Sequence, residues 1–289
     1  MHAIDTATIA WWIWPIALFV ATFALGVVAV ISGLGGGTLF VPIIASFFPF
    51  HIDFVRGAGL LVALSGALSA APALLAGGLA SLRLAMPFAL VGSITSIAGA
   101  YAGLALPAAV VQSALGATVL AMALLMWRAK RSHHPEVVAS DRLATAFGLY
   151  GNFHDGSVGG DRRWRVHRTA PSLFAFAGIG ALAGLFGIGA GWANVPALNL
   201  LLGVPLKISV ATSGLMLSVV DTSAAWVYLH RGAVLPILVV PSVLGMMLGA
   251  KLGAQLLRTV SSASVRKLVI LLLLFAGVRS LLKGLGLWN

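Results

Sequence analysis

The chain contains no cysteine and few acidic residues, and both absences exclude classes of protein. Without cysteine it forms no disulfide bond, no thiolate metal site and no cysteine nucleophile. Asp and Glu together number 7 of 289 residues, and only Asp221 lies deep inside an apolar run. A pair of buried carboxylates for intramembrane catalysis is therefore excluded within one chain. We expect neither a metal site nor a cofactor.

Charged residues are also scarce, and most of the chain consists of long apolar segments. Charged residues make up 9% of the chain and hydrophobic residues 60%, which is typical of helical membrane proteins. We predict an all-α polytopic membrane protein with eight to ten crossings, divided into a membrane repeat at 1–127, a basic cytoplasmic loop at 128–170 and a second membrane repeat at 171–289. The ten apolar segments are Trp12–Ile31, Thr38–Phe48, Arg56–Gly77, Leu84–Leu106, Pro107–Trp127, Pro171–Phe186, Trp192–Leu202, Ile208–Tyr228, Leu235–Leu257 and Val265–Leu282.

The net charge of +11 is concentrated in one place. Eight of the 18 Lys and Arg residues lie between Arg128 and Arg168, which favours a cytoplasmic loop that faces anionic lipid headgroups rather than nucleic acid. Inside this loop, Phe147–Val166 has two patches with strand-like alternation around a glycine-rich turn. This pattern predicts either a small hairpin against the membrane surface or a mobile linker with a few aromatic anchors.

A glycine-rich element occurs twice, 154 residues apart. The first copy runs from Gly33 to Pro42 and the second from Gly187 to Pro196, with glycines at three matching positions and Val-Pro at the end of both. The same offset aligns Pro87 with Pro241. The second segment of each half has about 11 residues, too few to cross a core of about 30 Å. We therefore predict two homologous halves, in inverted orientation if each crosses five times, with glycine-broken helices.

Such breaks have the chemistry of an anion site. Glycine lets backbone N–H groups face a cavity, and the half-helices that follow bring their positive N-terminal ends to the same place. In the alternative interpretation, the glycines only permit tight packing, and each Thr or Ser bonds its own helix. The predicted substrate-binding residues are Gly33, Gly35, Gly36, Gly37, Thr38, Gly187, Gly189, Gly191, Asn194, Thr212 and Ser213.

Two charged residues near the apolar runs have open interpretations. Asp221 is either a carboxylate that couples transport to protons or a structural group that links helices, in a protonated form or paired with a base such as Lys207, His230 or Lys251. Arg56 is either an attractor of anions at the periplasmic mouth or an anchor whose charged head reaches the interface.

The paired glycine elements, the Ala211-Thr212-Ser213 turn and the basic central loop resemble the TauE/SafE family of sulfite and organosulfonate exporters. The resemblance covers nearly the whole membrane portion, and it implies a permease of the bacterial inner membrane that moves small sulfur-containing anions. The chain departs from a symmetric pattern at Gly57-Ala58-Gly59, because hydroxyl groups at this position come from the second half only.

The function that these observations favour is a secondary transporter that exports a small anion across the lipid bilayer, most simply sulfite or an organosulfonate. The alternatives are a passive anion channel and, from another class, an intramembrane enzyme. Gly99-xxx-Gly103 and Gly249-xxx-Gly253 are small-residue motifs that pack helices either within one chain or between two. A homodimer is therefore an open alternative.

Overall fold

Helices form most of the computed structural model, which describes residues 12–32, 36–76, 80–128, 139–155, 160–256 and 262–287. The first half contains α1 (Ile13–Ser32), α2 (Gly36–Phe47), α3 (Ile52–Ala76), α4 (Leu82–Ala105) and α5 (Ala108–Arg128). The central loop contains α6 (Arg142–Ala146), β1 (Tyr150–Asp155) and β2 (Gly160–Arg165). The second half contains α7 (Thr169–Phe186), α8 (Gly191–Pro196), a π-helix (Ala197–Leu201), α9 (Leu206–His230), α10 (Pro236–Leu256) and α11 (Ser262–Gly284).

Seven of the described helices are long and apolar enough to cross a membrane: α1, α3, α4, α5, α7, α9 and α10. This confirms an all-α polytopic membrane protein. Helix α2 is apolar but has only 12 residues. Helix α11 has 23 residues and carries two basic residues near each end. The number of full crossings between eight and ten therefore stays a prediction.

The two halves pack on each other reciprocally. Helix α1 lies along α10, and its counterpart α7 lies along α4. At the centre α3 packs on α9, and α5 packs on α11. This exchange of partners is what two homologous halves would produce, while their inverted orientation stays a prediction.

Glycines allow these helix pairs to approach closely. A Cβ atom at Gly99 of α4 would overlap the carbonyl oxygen of Ala181 in α7, and one at Gly249 of α10 would overlap that of Phe23 in α1. Both small-residue motifs therefore pack helices of the same chain. They give no support to the homodimer.

The central loop is folded and docked on the helices. Strands β1 and β2 pair antiparallel, and the predicted turn between them at 156–159 lies outside the described residues. Leu149, Trp164 and Val166 are buried against Leu84 and Phe88 of α4. The hairpin itself is thus confirmed, while its position against the membrane surface stays a prediction. The described part of the loop is not an unstructured linker, because its apolar residues share a core with the membrane helices.

Asp141 joins this loop to the second membrane half. Its carboxylate accepts hydrogen bonds from the N–H of Ala144, which caps α6, and from both the N–H and the hydroxyl of Thr169, where α7 begins. Burial by itself would raise the pKa of Asp141, but these hydrogen bonds together lower it. The ionised carboxylate therefore fixes the entry into α7 at neutral pH.

Candidate functional site

The second glycine element interrupts the helical path between α7 and α8. Helix α7 ends at Phe186, and α8 begins at Gly191. Gly187 and Gly189 have φ angles of +68° and +71°, a left-handed conformation that a side chain with a Cβ rarely adopts. The N–H of Gly187 donates to the carbonyl of Ala183 and closes α7. Helix α8 then continues directly into the π-helix.

The first glycine element packs against the second. Gly33 and Gly35 lie outside the described residues, and α2 begins at Gly36. A Cβ at Gly37 would lie 2.7 Å from the carbonyl oxygen of Ile188, and one at Gly59 of α3 would lie 2.5 Å from that of Gly187. Both distances are too short for a real side chain. The absence of a Cβ therefore lets the start of α2 and the middle of α3 contact the second break.

Three hydrogen-bond donors around the starts of α2 and α8 have no partner within the described residues. They are the hydroxyl of Thr38, the indole N–H of Trp192 and the amide nitrogen of Asn194. Thr38 and Asn194 are each only 1% exposed. A buried polar group without a partner costs about 1–3 kcal/mol, so three together call for a ligand or ordered water. Trp192 was not among the predicted site residues, although it follows the last glycine of the second element.

Two of the residues that carry these donors, Thr38 and Trp192, line a cavity of about 460 Å³. It lies between the start of α2, the last two turns of α5, helices α7 and α11, and the limb formed by α8 and the π-helix. Its walls are mostly apolar, and Arg128 at the end of α5 adds the one cation of the described lining. The lining residues are Thr38, Met122, Leu125, Met126, Arg128, Ile179, Trp192, Ala193, Pro196, Ala197, Leu200, Leu201 and Leu273.

Asp221 belongs to the second break. One carboxylate oxygen accepts a hydrogen bond from the N–H of Ala190 at 3.3 Å. The other has no hydrogen-bond partner in the described part of the chain and lies so close to Gly189 that a Cβ there would be 2.7 Å away. The residue is fully buried. Pairing with a base is therefore wrong, because the partner is a backbone amide at the break.

Thr212 and Ser213, the two hydroxyl residues of α9 that were predicted to bind substrate, are not among the residues that line this cavity. Thr212 is fully buried and accepts a hydrogen bond from the N–H of Ser81, next to the start of α4. It precedes Asp221 by nine positions, which is about 13 Å along a helix. Ser213 is buried beside it. Any contact of these two hydroxyl groups with Gly33 or Gly35 falls outside the described residues, so their part in a site stays a prediction.

Arg56 is completely buried, so the interpretation as an interfacial anchor is wrong, and its attraction of anions stays a prediction. Its guanidinium pairs with Asp53 and donates to the carbonyl of Leu185 at 2.8 Å and to that of Gly103 at 3.2 Å. Leu185 belongs to the last turn of α7, where unpaired carbonyls and the helix dipole favour a cation. The positive charge of Arg56 thus stabilises the C-terminal end of α7, which leads into the second break.

Tyr228 of α9 completes the Arg56 cluster. Its hydroxyl donates to the carbonyl of Gly184 at 2.9 Å, and its ring lies 5.6 Å from the guanidinium carbon of Arg56. The backbone of Arg56 also contacts Gly187 so closely that a Cβ there would overlap it. Helices α3, α4, α7 and α9 are therefore joined through one buried cation beside the break.

Comparison with known proteins shows which family the chain matches. A family model described as Sulfite exporter TauE/SafE matches residues 18–280. The chain is also similar to the probable membrane transporter protein YunE of Bacillus subtilis (strain 168), with 31% identity over 107 residues. That match covers 37% of this chain and 39% of the relative, so the chain spans about two fifths of the length of YunE. No solved structure matches.

Proposed function

Because the chain belongs to the TauE/SafE sulfite exporter family, a family of membrane transporters and not of enzymes, we propose that it is a secondary transporter that exports a small anion. The proposed substrate is sulfite or an organosulfonate, bound where the two glycine elements meet. The chain itself is a multi-pass protein of the bacterial inner membrane. The observation that carries the proposal is the set of three unpaired, buried donors at the starts of α2 and α8.

Uncharged hydrogen-bond donors suit a transported anion, because the protein has to bind the anion and then release it. Backbone and side-chain N–H and O–H groups stabilise an oxyanion, and hydrogen bonds to a charged group contribute about 1.5–3 kcal/mol each. The buried cation beside the break, Arg56, already pairs with Asp53 and with the carbonyls of Leu185 and Gly103. Export also agrees with the membrane potential, because an inside-negative potential expels an anion with about 2.3 kcal/mol per charge per 100 mV.

Asp221 gives the proposed site a proton-dependent element. Its carboxylate accepts a hydrogen bond from the N–H of Ala190, at the break where the substrate anion would bind. Two negative charges there repel each other strongly in a medium of low dielectric constant. Substrate binding therefore requires Asp221 to be protonated or displaced. The other charged or titratable groups on α9 and on the described helices packed against it are Lys207, Tyr228, His230, Asp53, Arg56, Arg83 and Tyr101, of which Asp53 and Arg56 pair with each other.

A passive channel is less well supported. A channel needs a continuous open path past the site, whereas Gly37 and Gly59 press directly on the backbone of the second break. Such close packing at the break favours a protein that is closed on one side of the site. A transporter with alternating access has such a closed side in each of its states.

The proposed site predicts a specific loss of affinity. Thr38→Val keeps the shape of the side chain and removes the unpaired donor, so we expect the Kd of sulfite to rise about tenfold. Asn194→Leu should have an effect of similar size. Calorimetric titration of the purified protein measures both.

Thr118→Val is the matched control. The hydroxyl of Thr118 bonds the carbonyl of Ala114 within α5, away from the breaks, so its loss should leave the Kd unchanged. Equal Kd values for the wild type, Thr38→Val and Asn194→Leu would contradict the placement of the site.

A further inference from the structure

We infer that the site prefers an organic anion with an apolar group of several carbons over the bare sulfite ion, with the apolar group in the cavity between α2, α5, α7, α11 and the π-helix. This inference rests on the proposed function, because it assumes that the anionic group binds at the glycine elements. It goes further by assigning the cavity to the remainder of the substrate.

The first support is the division of the cavity into two unlike parts. Thr38 and Trp192 form the wall at the starts of α2 and α8, and each of them carries a buried donor without a partner. The remaining described wall is aliphatic except for Arg128, and much of it comes from the end of α5 and from the π-helix. Ligand pockets of this kind use a few polar groups for orientation and an apolar lining for affinity.

The second support is size. A sulfite ion has only four non-hydrogen atoms, so it fills the volume of a few water molecules, each of which takes about 30 Å³ in the liquid. Bound at Thr38, it would leave most of the 460 Å³ cavity without a substrate atom. A cavity with apolar walls holds water poorly. An attached alkyl group would instead bury apolar surface against walls such as Leu201 and Leu273, and each buried methylene group strengthens binding.

The third support is the position of Arg128. It lies at the end of α5, where the basic loop begins, and it lines the same cavity as Thr38. An anion that enters from the loop side therefore meets a cation first, then apolar walls, and then the unpaired donors. A lipid acyl chain in the cavity would leave the donors of Thr38 and Trp192 unpaired, so an organic anion accounts for more of the lining.

The test is a chain-length series of alkanesulfonates from methane- to hexanesulfonate, titrated together with sulfite against the protein in lipid nanodiscs. We expect the Kd to fall about threefold to fourfold per added methylene group, until the cavity is filled. Hexanol, which has the tail without the charge, should not compete. A Kd that is independent of chain length would overturn the inference, and so would equal competition by hexanol, which would indicate a lipid-like occupant.

Three variants separate the two parts of the site. Ala197→Leu places bulk in the cavity from the π-helix, so it should abolish the gain with chain length and leave sulfite binding intact, which also shows that the protein is folded. Ala98→Leu makes the same change on the exposed side of α4 and should preserve the gain. Trp192→Phe removes one donor and should weaken all sulfonates and sulfite by the same factor. A chain-length gain that survives in Ala197→Leu would overturn the inference.

The outcomes also distinguish this inference from the proposed function. Binding of sulfite and every sulfonate with one common Kd would leave an anion transporter and refute the role of the cavity. Failure of sulfite and all sulfonates to bind the folded wild-type protein would refute the proposed function itself, and the inference with it.

Discussion

Replacing Arg56 with methionine is expected to lower the free energy of unfolding by about 3 kcal/mol. The substitution leaves Asp53 without its cation and removes the donors to the carbonyls of Leu185 and Gly103. The loss of Arg56 is costly because the two carbonyls lose their donor, and because Asp53, which is 30% exposed, keeps a partly buried charge without this partner. Since the cluster joins four helices beside the second break, we also expect the substrate Kd to rise.

Unfolding in mixed micelles, followed by tryptophan fluorescence, measures this effect. The matched control is Arg231→Met, because Arg231 is exposed and only stacks on Tyr101, 5.1 Å from the ring centre. Its loss should change the free energy of unfolding by less than about 1 kcal/mol. Arg56→Lys keeps the charge but not the planar fork of donors, so it should recover only part of the stability. Equal stability of Arg56→Met and Arg231→Met would show that the buried cluster is not a structural element.

Replacing Asp221 with asparagine is expected to abolish the pH dependence of anion binding. In the wild type, a proton on Asp221 removes a negative charge from the break, so affinity should rise as the pH falls. The limit for one linked proton is a tenfold change in Kd per pH unit. Asparagine still accepts the hydrogen bond from Ala190, but it carries no charge at any pH. The Kd of the variant should therefore be constant and close to that of the protonated wild type.

An alkanesulfonate is the suitable ligand for this measurement, because its own charge does not change between pH 5 and pH 8. The control is Asp141→Asn, the same substitution at the cap of α6 in the central loop, which should keep the wild-type pH dependence. A wild-type Kd that does not vary with pH would exclude the coupling role of Asp221. An unchanged slope in Asp221→Asn would assign the pH dependence to another group.

The helices were largely predictable from the sequence because a membrane makes the apolar signal strong. The predicted segment Leu84–Leu106 corresponds to α4 (Leu82–Ala105), and Trp192–Leu202 corresponds to α8 with its π-helix. The period-2 pattern within 147–166 also indicated the hairpin, since its buried aromatic residue, Trp164, alternates with exposed arginines. Local patterns of this kind depend on neighbours along the chain, which the sequence contains directly.

The contacts around the site were not predictable, because they join residues far apart in the chain. Asp221 bonds Ala190, 31 positions away, and Arg56 bonds Leu185, 129 positions away. No spacing rule connects such residues, so the sequence left the partners of Asp221 and Arg56 open. The cavity was missed for the same reason, because its walls come from five elements of both halves.

Counterflow in proteoliposomes tests the central claim most directly. Vesicles that contain the protein are loaded with an excess of unlabelled alkanesulfonate and diluted into a trace of the labelled compound, with the membrane potential held at zero. The account predicts that label rises transiently inside above its outside concentration, because a carrier exchanges substrates one for one. Label that only equilibrates to equal concentrations would identify a passive channel and contradict the account.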